Sequence, residues 1–161
     1  MNDDDRSVTI RLASQGDAEQ LAHLCEQLGY PVAAEHLSLR LTPLLLQSDH
    51  ALFVAERPDR HLLGWVHVYR CLLVHTDPEA QIGGLVVDAA VRRSGAGHRL
   101  MQAAEQWARE QGCWAIYLRS HVSRADAHQF YHKIGYDIVT SSVFRKPLRK
   151  DITYTCSLST T

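Results

Sequence analysis

The chain has 161 residues, 45% of them hydrophobic and 22% charged, with a formal net charge of −1. That is one domain's length and ordinary globular composition, which excludes a disordered or fibrous chain and leaves no room for a separate substrate domain. The near-zero charge argues against a nucleic-acid partner, and no apolar run reaches the roughly 18 residues of a membrane helix.

The opening residues Met1-Asn2-Asp3-Asp4-Asp5-Arg6 are acidic and lack the basic-then-apolar order of a secretion signal, so a cytoplasmic protein is expected. Residues 8–12 alternate like a strand. Ser14 and Asp17 then form a capping box. Leu21, Leu24, Cys25 and Leu28 share one buried helical face that Gly29 ends. A second helix is expected from Pro31, through Leu37 and Leu41, with Pro43 ending or kinking it. Residues 51–56 and 62–73 read as two strands joined by a turn at Pro58-Asp59, with Trp65, His67 and Tyr69 on one face and Val66 and Val68 on the other.

A strand at 82–87 contains Gly83-Gly84. Glycine inside a strand weakens it and marks a bulge or the close approach of a ligand. The turn Arg92-Arg93-Ser94-Gly95-Ala96-Gly97 follows, then a long amphipathic helix carrying Leu100, Met101, Ala104, Trp107 and Ala108. Residues 114–119 form a strand, reached by a parallel crossover. Ser123-Arg124-Ala125-Asp126 reads as a second capping box, opening a helix with Ala127, Phe130, Tyr131 and Ile134 on its apolar side and Gly135 at its end. One long or two short strands are expected over 136–148, and the tail 151–161 offers a strand for pairing with another chain.

A strand, a glycine- and arginine-rich turn and a helix together form an anion site. The first N–H groups of a helix lack internal partners, its dipole is positive there, and glycines let an anion come close. Two arginines add charge for a pyrophosphate. No Gly-Lys-Ser/Thr follows, so this is not an ATP-type phosphate loop, and Leu100 stands where a dinucleotide fingerprint needs Gly or Ala. The ten histidines have no metal-ligand spacing, and no metal is expected. The four cysteines, Cys25, Cys71, Cys113 and Cys156, are scattered and read as free thiols.

Arg92-x-x-Gly95-x-Gly97 after the strand residues Leu85-Val86-Val87-Asp88 resembles the acetyl-CoA signature of the GCN5-related N-acetyltransferase (GNAT) superfamily. Ala127-His128-Gln129-Phe130-Tyr131, followed by Gly135-Tyr136, resembles that superfamily's second signature. Two signatures in the right order are far more specific than either alone. The resemblance covers roughly residues 7–148. It implies an α/β fold of order βααβββαβαβ: a mixed, mostly antiparallel sheet with a central splayed parallel pair and about four helices. It also implies one acetyltransferase domain over 1–150, acetyl-CoA as co-substrate, and direct transfer to a small-molecule primary amine in a ternary complex. The wording of the second motif looks most like the small-amine branch that includes aminoalkylphosphonate N-acetyltransferases. Dimers are common in the superfamily.

Carried onto this sequence, the resemblance gives Leu85, Val86 and Val87 main-chain hydrogen bonds to the pantetheine arm, with the N–H near Val86 polarising the thioester carbonyl. Arg92, Arg93, Ser94, Gly95, Ala96, Gly97 and His98 would hold the pyrophosphate. His121 stands about where many members place an asparagine that contacts the cofactor. Tyr131 matches the general acid: a phenol with pKa near 10 stays protonated at neutral pH and can donate to a thiolate. The usual strand glutamate is missing from the stretch ending in Gly83-Gly84. Glu79, His67, His75 and a water chain are the base candidates. Tyr30, Trp65 and Tyr69, with His36, Arg40 and His67, are candidates for contacting the acceptor. The alternatives are a non-catalytic acetyl-CoA-binding sensor on the same fold, or acetylation of a protein or peptide amine.

Overall fold

The computed structural model describes residues 8–148 and divides them into a unit ending at Arg119 and a second beginning at Ser120. The tail 151–161 and Cys156 lie outside the described residues.

In the first unit five strands stand side by side in chain order: β1 (Thr9–Leu12), β2 (His50–Glu56), β3 (Leu62–Cys71), β4 (Glu79–Val87) and β5 (Ala115–Leu118). The first four are mutually antiparallel. β5 is parallel to β4, because α3 (Ala96–Glu110) carries the chain back across the sheet between them. Alternation along the strands divides the core. Leu52, Val54, Trp65 and Val86 face one side and pack with Leu21 and Leu24 of α1 (Ala18–Leu28) and Leu41 of α2 (Ala34–Leu44). Val66 and Val68, both fully buried, face the other, where α3 lies against β2, β3 and β4 with Leu100, Met101, Ala104 and Ala108 buried.

The element order agrees with the sequence reading, and its departures have local causes. α2 begins at Ala34 rather than Pro31. Gly29, at φ 96°, and Tyr30 are both held by the end of α1, Tyr30 N–H donating to the Cys25 carbonyl at 2.9 Å, so the chain needs further residues to turn. Pro43 sits in the last turn of α2 and the helix stops just after it. β4 starts at Glu79 rather than at residue 82, because its first four residues have β5 as a second partner.

Ser14 and Asp17 do form the expected link: the Ser14 N–H donates to Asp17 Oδ2 at 2.7 Å around a single 3-10 turn. Asp17 also belongs to a buried ion cluster. Arg11 Nη1 and Nη2 donate to its two oxygens at 2.8 and 2.9 Å, and Arg11 also donates to the buried Glu56. The guanidinium holds both carboxyls below their ordinary values, hydrogen bonding to Arg11 being the leading cause for each. Groups with a depressed folded pKa stabilise fully above the unfolded value and lose that contribution as pH falls through the folded one. Resistance to urea is therefore expected to fall below about pH 4.5 as Asp17 and Glu56 protonate. Arg11→Met is expected to cost about 2 kcal/mol at pH 7, by leaving two buried carboxylates unpaired. A flat stability profile between pH 5 and 3 would contradict this.

The second unit holds one helix, α4 (Ala125–Lys133), closed by Gly135 at φ 96°. Two expectations are corrected here. Ser123 does not cap α4: the N-cap is Arg124, one residue later, and the Ser123 hydroxyl is 2.7 Å from His121 Nδ1 instead. The strands expected over 136–148 do not form. Ile138, Val139, Val143, Phe144 and Leu148 are exposed there, and β propensity without a paired backbone and a buried face does not make a strand.

Candidate active site

The turn between β4 and α3 is shaped by backbone that only a few conformations permit. Asp88 ends β4, and its carboxylate accepts the Ala90 N–H at 3.0 Å across a single 3-10 turn, Ala89–Val91. Arg93 (φ 70°) and Gly95 (φ 82°) then adopt left-handed conformations, and Gly95 is the N-cap of α3. The helical ladder begins where Arg99 N–H donates to the Gly95 carbonyl at 3.1 Å. The N–H groups of Gly97 and His98 in the first turn therefore have no carbonyl partner, and no acidic residue neutralises that turn. Arg92 and Arg93 are exposed and form no ion pair among the described residues. Free N–H donors, an uncompensated helix dipole and two unpaired guanidinium groups fit a diphosphate, so Arg92, Arg93, Ser94, Gly95, Ala96, Gly97 and His98 are brought together as the sequence suggested.

β4 outruns β5. Pairing between them ends at Ile82–Leu118, while β4 continues against β3 alone to Val87. In an antiparallel ladder each residue points both its N–H and its C=O to one side, and the side alternates. Asp88 N–H donates to the Leu63 carbonyl at 2.7 Å, so Asp88 and Val86 face β3. Leu85 and Val87 thus present their backbone groups on the open side. The N–H groups near Val86 that face the open side are those of Leu85 and Val87, since Val86 itself is turned toward β3.

Gly83 and Gly84 answer to the side chains above them. Gly83 is the extra residue of a bulge, since His67 pairs with Gly84 and Val68 with Ile82. A Cβ on Gly83 would lie 2.8 Å from His67 Nδ1, and one on Gly84 2.8 Å from Trp65 Cη2. Trp65 is only 9% exposed and packs in the apolar core with Leu24 and Val86, its indole N–H without a hydrogen-bond partner among the described residues. His67 and Tyr69 are half-buried; each ring centroid is 5.2 Å from that of His50, and the two are tilted against each other at 5.6 Å. Burial, then the neighbouring His50, bring the His67 pKa down to about 4, so its ring is neutral at pH 7. Farther along the same strands Tyr117 Oη donates to Gln81 Oε1 at 2.7 Å and lies 3.8 Å from Cys71 Sγ. Burial and the Cys71 contact push the Tyr117 phenol up to about 12.

The remaining candidates are dispersed. Glu79, at the start of β4, is six residues before Leu85, about 20 Å along the strand at about 3.3 Å per residue. His75 is exposed in the β3–β4 turn, and Tyr30, His36 and Arg40 are exposed on the α1–α2 segment. His50, Gln81 and Tyr117 were missed from sequence, because strand register alone sets them beside His67 and Tyr69. In the second unit, Tyr131 meets the rings of Phe130 and Tyr136 edge-on at 5.3 and 6.1 Å. Burial pushes its phenol above the ordinary value, partly offset by Arg124. His121 is exposed and bonded to Ser123. Among the described residues no cluster of His, Cys, Asp or Glu suits a metal ion, and no helix is long and apolar enough to cross a membrane.

The profile of the Acetyltransferase (GNAT) family matches residues 17–136. The chain belongs to the GNAT family. It is an acetyltransferase, with acetyl-CoA as co-substrate. Two curated relatives are similar to this GNAT chain. An aminoglycoside N(6')-acetyltransferase type 1 of Stenotrophomonas maltophilia is 32% identical over 146 residues, 87% of this chain and 94% of that protein. The uncharacterized N-acetyltransferase YhdJ of Bacillus subtilis is 40% identical over 76 residues, 47% of this chain; the match spans 53% of that protein. Among solved structures, an aminoglycoside N-acetyltransferase in complex with CoA shares the fold, with TM-score 0.77 at 17% identity over 88% of this chain and 95% of that one. These likenesses support the superfamily and not the narrower aminoalkylphosphonate branch.

Proposed function

We propose that this GNAT enzyme moves an acetyl group directly from acetyl-CoA to a primary amine of a small molecule within a ternary complex. The observation that carries this reading is the open side of β4, with unpaired backbone at Leu85 and Val87, running into a helix start free of acidic residues and flanked by Arg92 and Arg93. The N–H groups of Gly97 and His98, with both arginines, take the pyrophosphate. Leu85 and Val87 take the pantetheine arm and the thioester carbonyl, where an N–H donor stabilises the charge that develops on oxygen. The second motif's resemblance assigns protonation of the departing sulfur to Tyr131. Of the base candidates, His67 is favoured over Glu79, since its neutral ring stands over Gly83 while Glu79 is at the far end of the strand. His121 and Tyr30 keep the supporting roles that the resemblance implies.

Neither Cys25 nor Cys113 favours a covalent step. Burial pushes Cys25 and Cys113 up, away from the thiolate form that a covalent acetyl-cysteine step requires. An aminoglycoside is the first acceptor class to test, because the relative aligned over most of the chain is named for it. Coenzyme A release would be followed across aminoglycosides, polyamines, amino acids, aminoalkylphosphonates and peptide N-termini. Turnover with a small amine is expected. Tight acetyl-CoA binding with no turnover on any amine would overturn the reading in favour of a binding module, and turnover confined to peptides would move the acceptor to proteins.

A smaller effect is expected at the phosphate turn. Replacing Arg92 and Arg93 together by glutamine is expected to weaken acetyl-CoA binding about tenfold at low salt, and less at high salt, without changing the fold. Calorimetric titration at two ionic strengths checks it, and an unchanged affinity would remove both arginines from the site.

A further inference from the structure

The sheet face above Gly83 brings two histidines into direct contact. His50 Nδ1 and His67 Nε2 are 2.9 Å apart, a hydrogen bond that needs one N–H and one bare ring nitrogen. The planes of the two rings are within 22° of each other, and Tyr69 stacks on His50 and lies tilted against His67. On the far side of the His67 ring, Nδ1 is turned toward Gly83, where a side chain would come within 2.8 Å of it. No hydrogen-bonding group of the described residues meets that nitrogen. Gly83 is the bulged residue, and Leu85, two residues on, begins the open backbone. The groups around His67 are His50 from β2, Trp65 and Tyr69 from its own strand, and Gly83 and Gly84 from β4, with Leu28 of α1 beyond Gly84. None is a carboxylate or a cation at neutral pH, apart from what His50 itself can become. The polar groups farther along this face are Gln81, Tyr117 and Cys71, with the Arg119 cation close enough to favour the ionised form of Tyr69 and Tyr117.

Resting on the acetyl-transfer reading, we propose that His50 and His67 act as one proton-accepting pair, His67 Nδ1 taking the proton of the acceptor amine while His67 Nε2 hands its own proton to His50 Nδ1. As the amine nitrogen forms its bond to the carbonyl carbon, an N–H bond breaks toward His67 Nδ1 and the carbon–sulfur electron pair leaves with sulfur as the thiolate of coenzyme A. The relay leaves His67 neutral in its other tautomer and places the positive charge on His50, which loses a proton to water. A single buried ring would have to carry the charge itself, which burial opposes. The second ring removes that requirement, and this is how a strand without its usual glutamate keeps a base. The glycines belong to the same device, because any side chain at Gly83 would displace the His67 ring.

Two measurements test the pair. In the full-length protein labelled with 15N-histidine, long-range 1H–15N spectra at pH 7.5 are expected to show His67 protonated on Nε2 with Nδ1 bare. Finding His67 protonated on Nδ1 overturns the relay whatever the activity. The second is a double-mutant cycle of His50→Phe and His67→Gln with kanamycin as the acceptor probe, the phenylalanine keeping a ring in the stack. Each single variant is expected to lose about tenfold or more in kcat with KM for acetyl-CoA unchanged, and the double variant to be no worse than His67→Gln, as for groups that act as a unit. Losses that multiply, or an unchanged kcat in His50→Phe, overturn the pair while leaving acetyl transfer standing. Wild-type protein that transfers acetyl to no amine in the wider panel removes the acetyl-transfer reading, and the pair's role with it.

Discussion

Replacing Tyr131 with phenylalanine is expected to lower kcat about a hundredfold at neutral pH while leaving acetyl-CoA affinity nearly unchanged. Thiolate expulsion is the step that needs a proton, so the loss falls on kcat and not on binding. The substitution is structurally mild: the Tyr131 hydroxyl makes no hydrogen bond among the described residues, and the edge contacts to Phe130 and Tyr136 belong to the ring that phenylalanine keeps. The pH dependence has a definite sign. An acid works in its protonated form, below its pKa, and burial raises that pKa above the ordinary phenol value. Activity limited by this group is therefore expected to hold through pH 9 and to fall only at higher pH. Steady-state kinetics from pH 6 to 10 on both proteins checks both statements, and an unchanged rate in the variant would remove the acid role.

Gly64→Ala is expected to be the most damaging single methyl in the first unit. A Cβ there would lie 2.4 Å from the Val86 carbonyl oxygen, 3.1 Å from Val87 Cα and 3.3 Å from Leu100 Cδ1. Two of these three atoms are backbone, so the clash cannot be relieved by a rotamer. β3 and β4 must separate where β4 leaves β5 and faces the open side. The expected cost is about 3 kcal/mol, or roughly 6–12 °C in Tm for a chain of this size. The effect reaches function because the displaced strand carries Leu85 and Val87: the stabilisation that acetyl-CoA gives to wild type is expected to shrink in the variant. Thermal unfolding with and without acetyl-CoA measures both. A Tm within 2 °C of wild type would contradict the packing described here.

The glycine pair Gly83-Gly84 illustrates how much was legible before the fold. Glycine in a strand predicted a bulge or a close approach, and the structure contains the bulge. Which groups approach was not legible, since His67, Tyr69 and Trp65 reach the glycines across a strand pair whose register depends on the whole sheet. His50 shows the same limit. It stands just before the apolar run 51–56, and only hairpin pairing sets it opposite Tyr69 and against His67. Trp65 shows the limit from the other side: its aromatic, polar-tipped side chain gave no sign that it packs in the core. The strands expected over 136–148 had the right residues, but among the described residues no partner backbone meets them.

By itself, then, the sequence determined what depends on near neighbours along the chain: the periodic faces of α1 and α3, the glycines that end helices, the anion-binding turn at Arg92–Gly97, and two motifs specific enough to indicate the family. Those features follow from backbone conformation and from spacings of three, four or two residues, which any segment carries with it. The tertiary structure decided what depends on pairing. It turned Leu85 and Val87 rather than Val86 to the open side, joined His50 to His67, and set Glu79 about 20 Å from Leu85 along the strand. Strand register, unlike helical spacing, is a property of two segments distant in sequence, and a shift of one residue reverses every group that faces the site.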